Sequence, residues 1–288
     1  MAAVQGYARP ELLAEPDWLW ERRDDPTVRV IDCATLEAYR RAHIPGAVGL
    51  PVHNWIKDPA DKRFVMGPEA FAELMGKLGV SGDTTVVTYD DNHSLFACRL
   101  WWVLNYYGHT DTKVLNGGWH RWLSEGRPLT FHETRPEPGR FTPRPNEGVI
   151  CRLDELKAKL GDPRVQVMDM RSDAEWLGTN DHGNKRAGHV PGALHLEWLN
   201  YMTEDGRRMF KPASELRAML DRAGISPQSE VVTHCQAAIR AAHGALVLSL
   251  LGWDRVRVYD GSMLEWANRD ATPLVLEQAE GRRENQTG

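Results

Sequence analysis

One cysteine stands where a strand, a tight turn and a helix are expected to meet. Cys235 comes just after the β-branched run 231–233, and a helix-forming run begins at Ala241. The first N–H groups of a helix have no intrahelical partner, and their partial positive charge favours an anion beside them. A loop bent around the sulfur adds further N–H groups and favours the thiolate, which is a nucleophile. The loop N–H groups that could bind a substrate here belong to Gln236, Ala237, Ala238 and Ile239. The residues alone also allow a buried structural cysteine.

Arg240 closes this loop with the spacing C-x4-R. Its guanidinium group is planar and permanently charged, so it can hold loop carbonyls or an anionic substrate, although a surface arginine is the simpler alternative. Asp169 and Arg171 follow another predicted strand, where they could orient the loop or form an ion pair that holds only their own turn. His234 precedes the cysteine, but successive strand residues point to opposite faces, which makes it a poor general base.

The chain repeats itself at a near-constant spacing. The motif AHIPGA at 42–47 returns as GHVPGA at 188–193, an offset of 146 residues. The β-branched run ending at Asp90 returns in the run ending at Cys235, an offset of 145 residues. Such offsets predict two copies of one domain. Because Asp90 stands in the place of the cysteine, only the second copy can carry thiol chemistry.

Each copy is predicted to alternate strands and helices. Short β-branched runs such as 28–32 and 85–89 alternate with helical runs such as 95–106. This pattern predicts an α/β fold with a mainly parallel sheet and helices on both faces. Ligand sites in such sheets lie at the carboxyl ends of the strands, where Cys235 falls. We expect tandem domains at 1–127 and 143–288, joined by a proline-containing linker at 128–142.

Composition narrows the classes of function. The chain has 288 residues and a net charge of −5, without a basic block that would indicate nucleic-acid binding. No stretch approaches the roughly 18 apolar residues of a membrane span. The first seven residues lack the features of a signal peptide, and the polar tail 277–288 is expected to fray. Four cysteines without a C-x-x-C pair argue for a cytoplasmic protein with no metal or organic cofactor.

The sequence resembles the two-domain rhodaneses, the thiosulfate and 3-mercaptopyruvate sulfurtransferases, over nearly its whole length. Asp90 fits this resemblance, since the N-terminal domain of that family is typically inactive. A loop that begins Cys-Gln and ends in Arg is most similar to a bacterial group of thiosulfate sulfurtransferases. The matching blocks are Asp169-Met170-Arg171-Ser172, Gly188–Ala193, Cys235–Arg240, and Tyr259-Asp260-Gly261-Ser262 with Glu265-Trp266.

The resemblance implies a double displacement of sulfur. The Cys235 thiolate would take a sulfane sulfur from thiosulfate or 3-mercaptopyruvate, and cyanide, a small thiol or a thioredoxin-like protein would remove it. Better-known members carry an arginine where this chain has Glu175, which counts against binding the mercaptopyruvate carboxylate and favours thiosulfate. Thiosulfate is a dianion and needs positive charge nearby. The basic residues close to the site in sequence are Arg171, Lys185 and Arg186.

Two other classes of function stay open from the sequence. Related dual-specificity phosphatases carry a C-x5-R loop, which is one residue longer and wide enough for phosphate. The shorter loop here favours a bare sulfur. A non-catalytic binding module would have no need of both Cys235 and Arg240.

Overall fold

The structure, a computed structural model, describes residues 5–276. The predicted frayed tail and the outer ends of both predicted domains lie outside this range. The first half of the molecule runs from β1 to α6. Its strands are β1 (Leu13–Ala14), β2 (Val28–Asp32), β3 (Val48–Gly49), β4 (Thr85–Tyr89) and β5 (Thr112–Leu115). Its helices are α1 (Pro16–Glu21), α2 (Leu36–Arg41), α3 (Val52–Trp55), α4 (Pro68–Lys77), α5 (Leu95–Tyr106) and α6 (Gly118–Ser124).

The second half of the molecule repeats this plan from β6 to α11. Its strands are β6 (Ile150–Cys151), β7 (Val165–Asp169), β8 (Leu194–His195), β9 (Glu230–His234) and β10 (Val256–Tyr259). Its helices are α7 (Leu153–Lys159), α8 (Asp173–Trp176), α9 (Ala213–Arg222), α10 (Ile239–Leu250) and α11 (Ser262–Trp266). Residues 125–146 connect the halves without a named helix or strand.

The two sheets have the same topology. The first has the order β1-β5-β4-β2-β3 and the second β6-β10-β9-β7-β8, and every strand pair is parallel. The predicted α/β class and the duplication are therefore confirmed. Within residues 5–276, no helix is both long and apolar enough to cross a membrane.

Strand register brings the two duplicated loops to equivalent places. Asp32 pairs with Tyr89 at the end of β4, and Asp169 pairs with His234 at the end of β9. The residue after each central strand, Asp90 or Cys235, therefore emerges at the carboxyl edge of its sheet. The loop that follows has five residues in the first half and four in the second.

The two halves share one hydrophobic core. Helices α5 and α10 pack against each other, and most residues of both are buried. Ala97 and Trp101 of α5 belong to the same buried cluster as Ala242 and Leu246 of α10. Each helix begins at a duplicated loop, so this packing also brings the loops to the boundary between the halves.

Candidate active site

Cys235 lies between β9 and the first residue of α10, at the carboxyl edge of the second sheet. The residue is 1% exposed. The loop turns sharply because Ala238, the residue before the helix, has a left-handed backbone with φ +58°. The strand, turn and helix expected around the sulfur are therefore present.

Ser262, the first residue of α11, holds the loop. Its hydroxyl oxygen accepts the N–H of Cys235 at 3.2 Å and the N–H of Ala238 at 3.1 Å. The same hydroxyl donates to the carbonyl of Tyr259 at 2.9 Å, and the side chain is buried. Because its N–H is taken by Ser262, Ala238 does not offer a free donor to a substrate, in contrast to the expectation from sequence.

The start of α11 adds two further bonds to the loop. The N–H of Met263 donates to the carbonyl of Cys235, and the N–H of Leu264 donates to that of Gln236, both at 2.9 Å. We call residues 259–264 the clamp. Four hydrogen bonds from this segment fix the loop of Cys235, although the segment lies more than 20 residues further along the chain.

The first half shows what the duplicated loop binds. The buried Asp90 carboxylate accepts four backbone N–H groups at 2.7 to 3.0 Å. Burial raises the pKa of Asp90 to about 6 despite these bonds, which favour the charged form. This loop is therefore an anion cradle occupied by the chain's own carboxyl group. The donors are Asn92, Ser94, Phe96 and Ala97.

Backbone conformation aligns the two cradles. Ser94 and Ala238 each precede their helix in the left-handed region, with φ of 62° and 58°. The second and third residues of α5 and α10 are therefore equivalent. In α5 these residues, Phe96 and Ala97, donate to one Asp90 carboxylate oxygen.

In the second half the same two donors are open. The second and third residues of α10 are Arg240 and Ala241, and their N–H groups have no hydrogen-bond partner among residues 5–276. The loop N–H groups of Gln236, Ala237 and Ile239 likewise have none in that range. A cysteine replaces the aspartate that fills the cradle of the first half, so the donors can serve a negative charge at or near its sulfur.

Arg240 is held by a carboxylate on α8. Its two Nη atoms lie 2.6 and 2.7 Å from the two oxygens of Glu175, whose side chain is 2% exposed. The guanidinium group therefore contacts a carboxylate and not the loop carbonyls, because an ionised carboxylate is the stronger acceptor. The other role expected from the sequence, contact with an anionic substrate, stays a prediction. Glu175 also accepts the hydroxyl and N–H of Ser172 in a capping box, and His182 Nε2 lies 3.0 Å from it.

The charges of this pair support each other. Burial alone would raise the pKa of Glu175, but the hydrogen bonds and charge of Arg240 outweigh it and lower the pKa to about 2. Burial opposes the charge of Arg240, yet the bonds to Glu175 and the negative charge of a Cys235 thiolate raise the pKa of its guanidinium group. The arginine is thus charged beside the sulfur, with its charge partly compensated by Glu175.

Asp169 and Arg171 form a buried pair of their own. Arg171 donates to both carboxylate oxygens of Asp169 at 2.7 to 3.0 Å and to the carbonyl of Gly188 at 2.9 Å. Burial would raise the pKa of Asp169, but the charges of His234 and Arg171 lower it overall. The pair ties the end of β7 to the glycine before the HVPGA motif. The guanidinium group of Arg171 is taken up by these contacts, which favours an ion pair that holds its own turn over the substrate-binding role that the sequence also allowed.

Of the other two basic residues, Arg186 is engaged by backbone carbonyls, whereas Lys185 follows Asn184, whose side chain bonds that of Gln236 in the loop of Cys235. Arg186 donates to backbone carbonyls at the end of α11 and just beyond, including those of Trp266 at 3.1 Å and Thr272 at 2.7 Å. This is a helix C-cap, where a cation meets unpaired carbonyls. Lys185 is exposed, and its backbone N–H donates to Asn268.

The remaining cysteines are poor nucleophiles. Cys33, Cys98 and Cys151 are buried and unpaired. Burial raises the pKa of Cys151 to about 12 and the pKa values of Cys33 and Cys98 well above the usual range. All three therefore stay protonated at neutral pH. In the described part of the chain, no three His, Cys, Asp or Glu side chains are grouped to hold a metal ion.

Comparison with known proteins agrees with this geometry. The family model of the rhodanese-like domain matches residues 15–125 and 152–269. The chain belongs to the rhodanese family. It is 38% identical to the sulfur carrier protein TtuD of Thermus thermophilus, covering 94% of this chain and 98% of that protein. It is 34% identical to the thiosulfate sulfurtransferase of Bos taurus, covering 93% and 96%, and 34% to that of Corynebacterium glutamicum, covering 94% and 93%.

A solved structure shares the rhodanese fold of both halves. The anaerobic ergothioneine biosynthesis enzyme from Chlorobium limicola, in complex with trimethyl histidine, superposes with a TM-score of 0.83 at 24% identity. The match covers 93% of this chain and 71% of that one.

Proposed function

We propose that this protein is a sulfurtransferase that moves a sulfane sulfur from thiosulfate to cyanide or a thiol through a persulfide on Cys235. The observation that carries the proposal is the open anion cradle around Cys235, beside the equivalent cradle that Asp90 fills. Two relatives named thiosulfate sulfurtransferase support the donor. The four free thiols favour a reducing compartment, and we place the protein in the cytoplasm.

The reaction proceeds in two displacements. The Cys235 thiolate attacks the terminal sulfur of thiosulfate, the bond between the two sulfur atoms breaks, and sulfite leaves with the bonding electrons. A persulfide anion remains on the cysteine. Cyanide then attacks the outer sulfur and departs as thiocyanate, which returns the thiolate. A thiol acceptor takes the outer sulfur in the same way.

Negative charge stays near Cys235 throughout this cycle. The open N–H groups of Arg240 and Ala241 come from the first turn of α10 and are fixed before the reaction starts. Preorganised donors of this kind stabilise developing charge without reorganising. The guanidinium group of Arg240 adds a permanent positive charge, and Glu175 keeps it in place.

A steady-state assay of thiocyanate formation tests the proposal. Thiosulfate and 3-mercaptopyruvate are supplied in turn to the wild type, to Cys235→Ser and to Cys98→Ser as a matched control. We expect turnover with thiosulfate that is lost in Cys235→Ser and kept in Cys98→Ser. Turnover with mercaptopyruvate alone would keep the persulfide and change the donor. No turnover with either would contradict the proposal and make a phosphate-ester assay the next step.

A further inference from the structure

A buried ion pair joins the two halves beside the catalytic loop. Arg99, on α5 of the first half, donates from Nη2 to Oδ1 of Asp260 at 2.6 Å. The two side chains are 5% and 4% exposed. The guanidinium carbon of Arg99 lies 4.8 Å from the ring centre of Trp102, which covers the cation on its own helix. Asp260 belongs to the clamp that fixes the loop of Cys235.

The first half touches the clamp and the loop at further points. The other oxygen of Asp260 accepts the backbone N–H of Val65 at 2.9 Å. Nη1 of Arg99 approaches the carbonyl of Ala238 at 3.5 Å, the outer limit of a hydrogen bond. Asp260 stands two residues before Ser262, whose hydroxyl holds Cys235. A shift of Arg99 would therefore change the position of the Cys235 sulfur, because Arg99 contacts both the clamp and the loop.

The duplication supplies an internal comparison for this ion pair. Asp260 directly follows β10, and its counterpart Asn116 directly follows β5. Asn116 accepts the N–H of Phe210 from the other half at 3.3 Å, just as Asp260 accepts that of Val65. The crossed backbone contact is therefore present on both sides.

The charged pair, however, is present at only one of these two equivalent contacts. The position of Arg99 on α5 corresponds to His243 on α10, 144 residues later, and His243 is buried. Burial lowers the pKa of His243 to about 3, so it is neutral at pH 7. Arginine and aspartate thus reach across to the loop that carries the cysteine. Neutral histidine and asparagine stand at the equivalent positions beside the loop that carries Asp90.

We propose that Arg99 is a positioning residue, by which the half that lacks a nucleophile fixes the geometry of Cys235 through Asp260 and Ala238. A buried ion pair adds little net stability, but it can specify one arrangement of the elements that it joins. The inference rests on the proposed function in taking Cys235 as the reacting residue.

The test compares two buried arginines of the first half. Arg99→Met removes the contact with the clamp. Arg121→Met is the matched control, because Arg121 is also 5% exposed and pairs with Glu15 and Glu125 inside its own half. For each variant we would measure kcat and KM for thiosulfate, the thermal midpoint, and the rate at which iodoacetamide alkylates the Cys235 peptide.

We expect Arg99→Met to lower kcat by about 10- to 100-fold, with a smaller change in KM, since small misplacements of a reacting group cost this much. The alkylation rate should fall with it. Arg121→Met should lower the thermal midpoint while leaving kcat and alkylation near the wild-type values. Arg99→Lys should recover part of the activity through Asp260 alone. Equal losses of kcat in Arg99→Met and Arg121→Met, or none in either, would overturn the inference.

A double variant tests the route through Asp260. If Arg99 acts mainly through this residue, Arg99→Met/Asp260→Asn should be little slower than Asp260→Asn, whereas independent effects would multiply. If Arg99→Met does not fold, Arg99→Lys and Asp260→Asn give the same comparison. Alkylation requires no sulfur donor. An inactive wild type whose alkylation still depends on Arg99 would therefore refute the proposed function and leave this inference standing.

Discussion

Asp90 and Cys235 occupy equivalent positions, and the side chain at that position decides which half can react. A carboxylate closes the cradle by accepting its N–H groups. The cysteine at the other cradle leaves the donors of Arg240 and Ala241 open. The same backbone therefore makes a filled anion site in one half and a candidate reaction site in the other.

Glu175 sets the charge of the candidate site. Its carboxylate accepts hydrogen bonds from both Nη atoms of Arg240 and so competes with an anionic sulfur donor for the same cation. We predict that Glu175→Gln lowers the KM for thiosulfate by about fivefold, because an exchange of this charge is worth roughly 1 kcal/mol near a solvated pocket. Glutamine can still accept one bond from Arg240, which keeps the loop in place.

Steady-state kinetics over a range of thiosulfate concentrations measure this effect. Glu125→Gln is the control, since Glu125 is an arginine-paired carboxylate of the first half. A KM for thiosulfate that is not lower in Glu175→Gln than in the wild type and in Glu125→Gln would show that Arg240 does not contact the donor.

At the scale of elements, the clamp fixes the loop that connects β9 to α10. We predict that Ser262→Ala lowers kcat and destabilises the fold by about 1 to 3 kcal/mol, because the buried N–H groups of Cys235 and Ala238 lose their acceptor. Ser249→Ala is the control, since that hydroxyl donates to Ala245 within its own helix. Urea unfolding and kcat measure both effects. Wild-type values for Ser262→Ala would mean that water replaces the hydroxyl.

The long elements could be predicted from the sequence, and the short ones could not. The strands at 28–32 and 85–89 and the helix at 95–106 have the predicted bounds. Helix α10 starts at Ile239, two residues before the predicted start at Ala241. Strands β1, β3, β6 and β8 have two residues each, too few for any alternation to show.

The sequence predicts the central residues of the site but not the distant residues that contact them. Cys235 begins the loop and Arg240 is the second residue of the helix that follows it, so local spacing brings them together. Ser262 contacts Cys235 from 27 residues away and Glu175 contacts Arg240 from 65 residues away, and no local pattern reports such contacts. Arg186 was misplaced for the same reason, because the carbonyls that it caps lie about 80 residues further on.

For the whole molecule, buried neutral histidine makes stability depend on pH. His243 of α10 lies among Trp198, Tyr201 and Phe210, and burial lowers its pKa to about 3. Between pH 6.5 and 3 the unfolded chain binds a proton at this residue that the folded protein does not. The free energy of unfolding therefore falls as the pH falls, by up to about 1.4 kcal/mol per pH unit from this residue.

We predict that His243→Phe reduces this slope, since phenylalanine suits the aromatic surroundings and binds no proton. Denaturant unfolding at pH 7 and pH 5 measures the slope in each protein. His132→Phe is the control, because His132 is exposed in the segment that connects the two halves. Identical slopes for wild type and His243→Phe would mean that His243 takes up a proton in the folded protein.

The most direct test of the whole account is the mass of the Cys235 peptide after incubation with thiosulfate. The account predicts one added sulfur, about 32 Da, on this peptide and its removal by cyanide. The peptides of Cys33, Cys98 and Cys151 should keep their mass. An unmodified Cys235 peptide, or a sulfur added to another cysteine instead, would contradict the assignment of Cys235 as the sulfur-carrying residue.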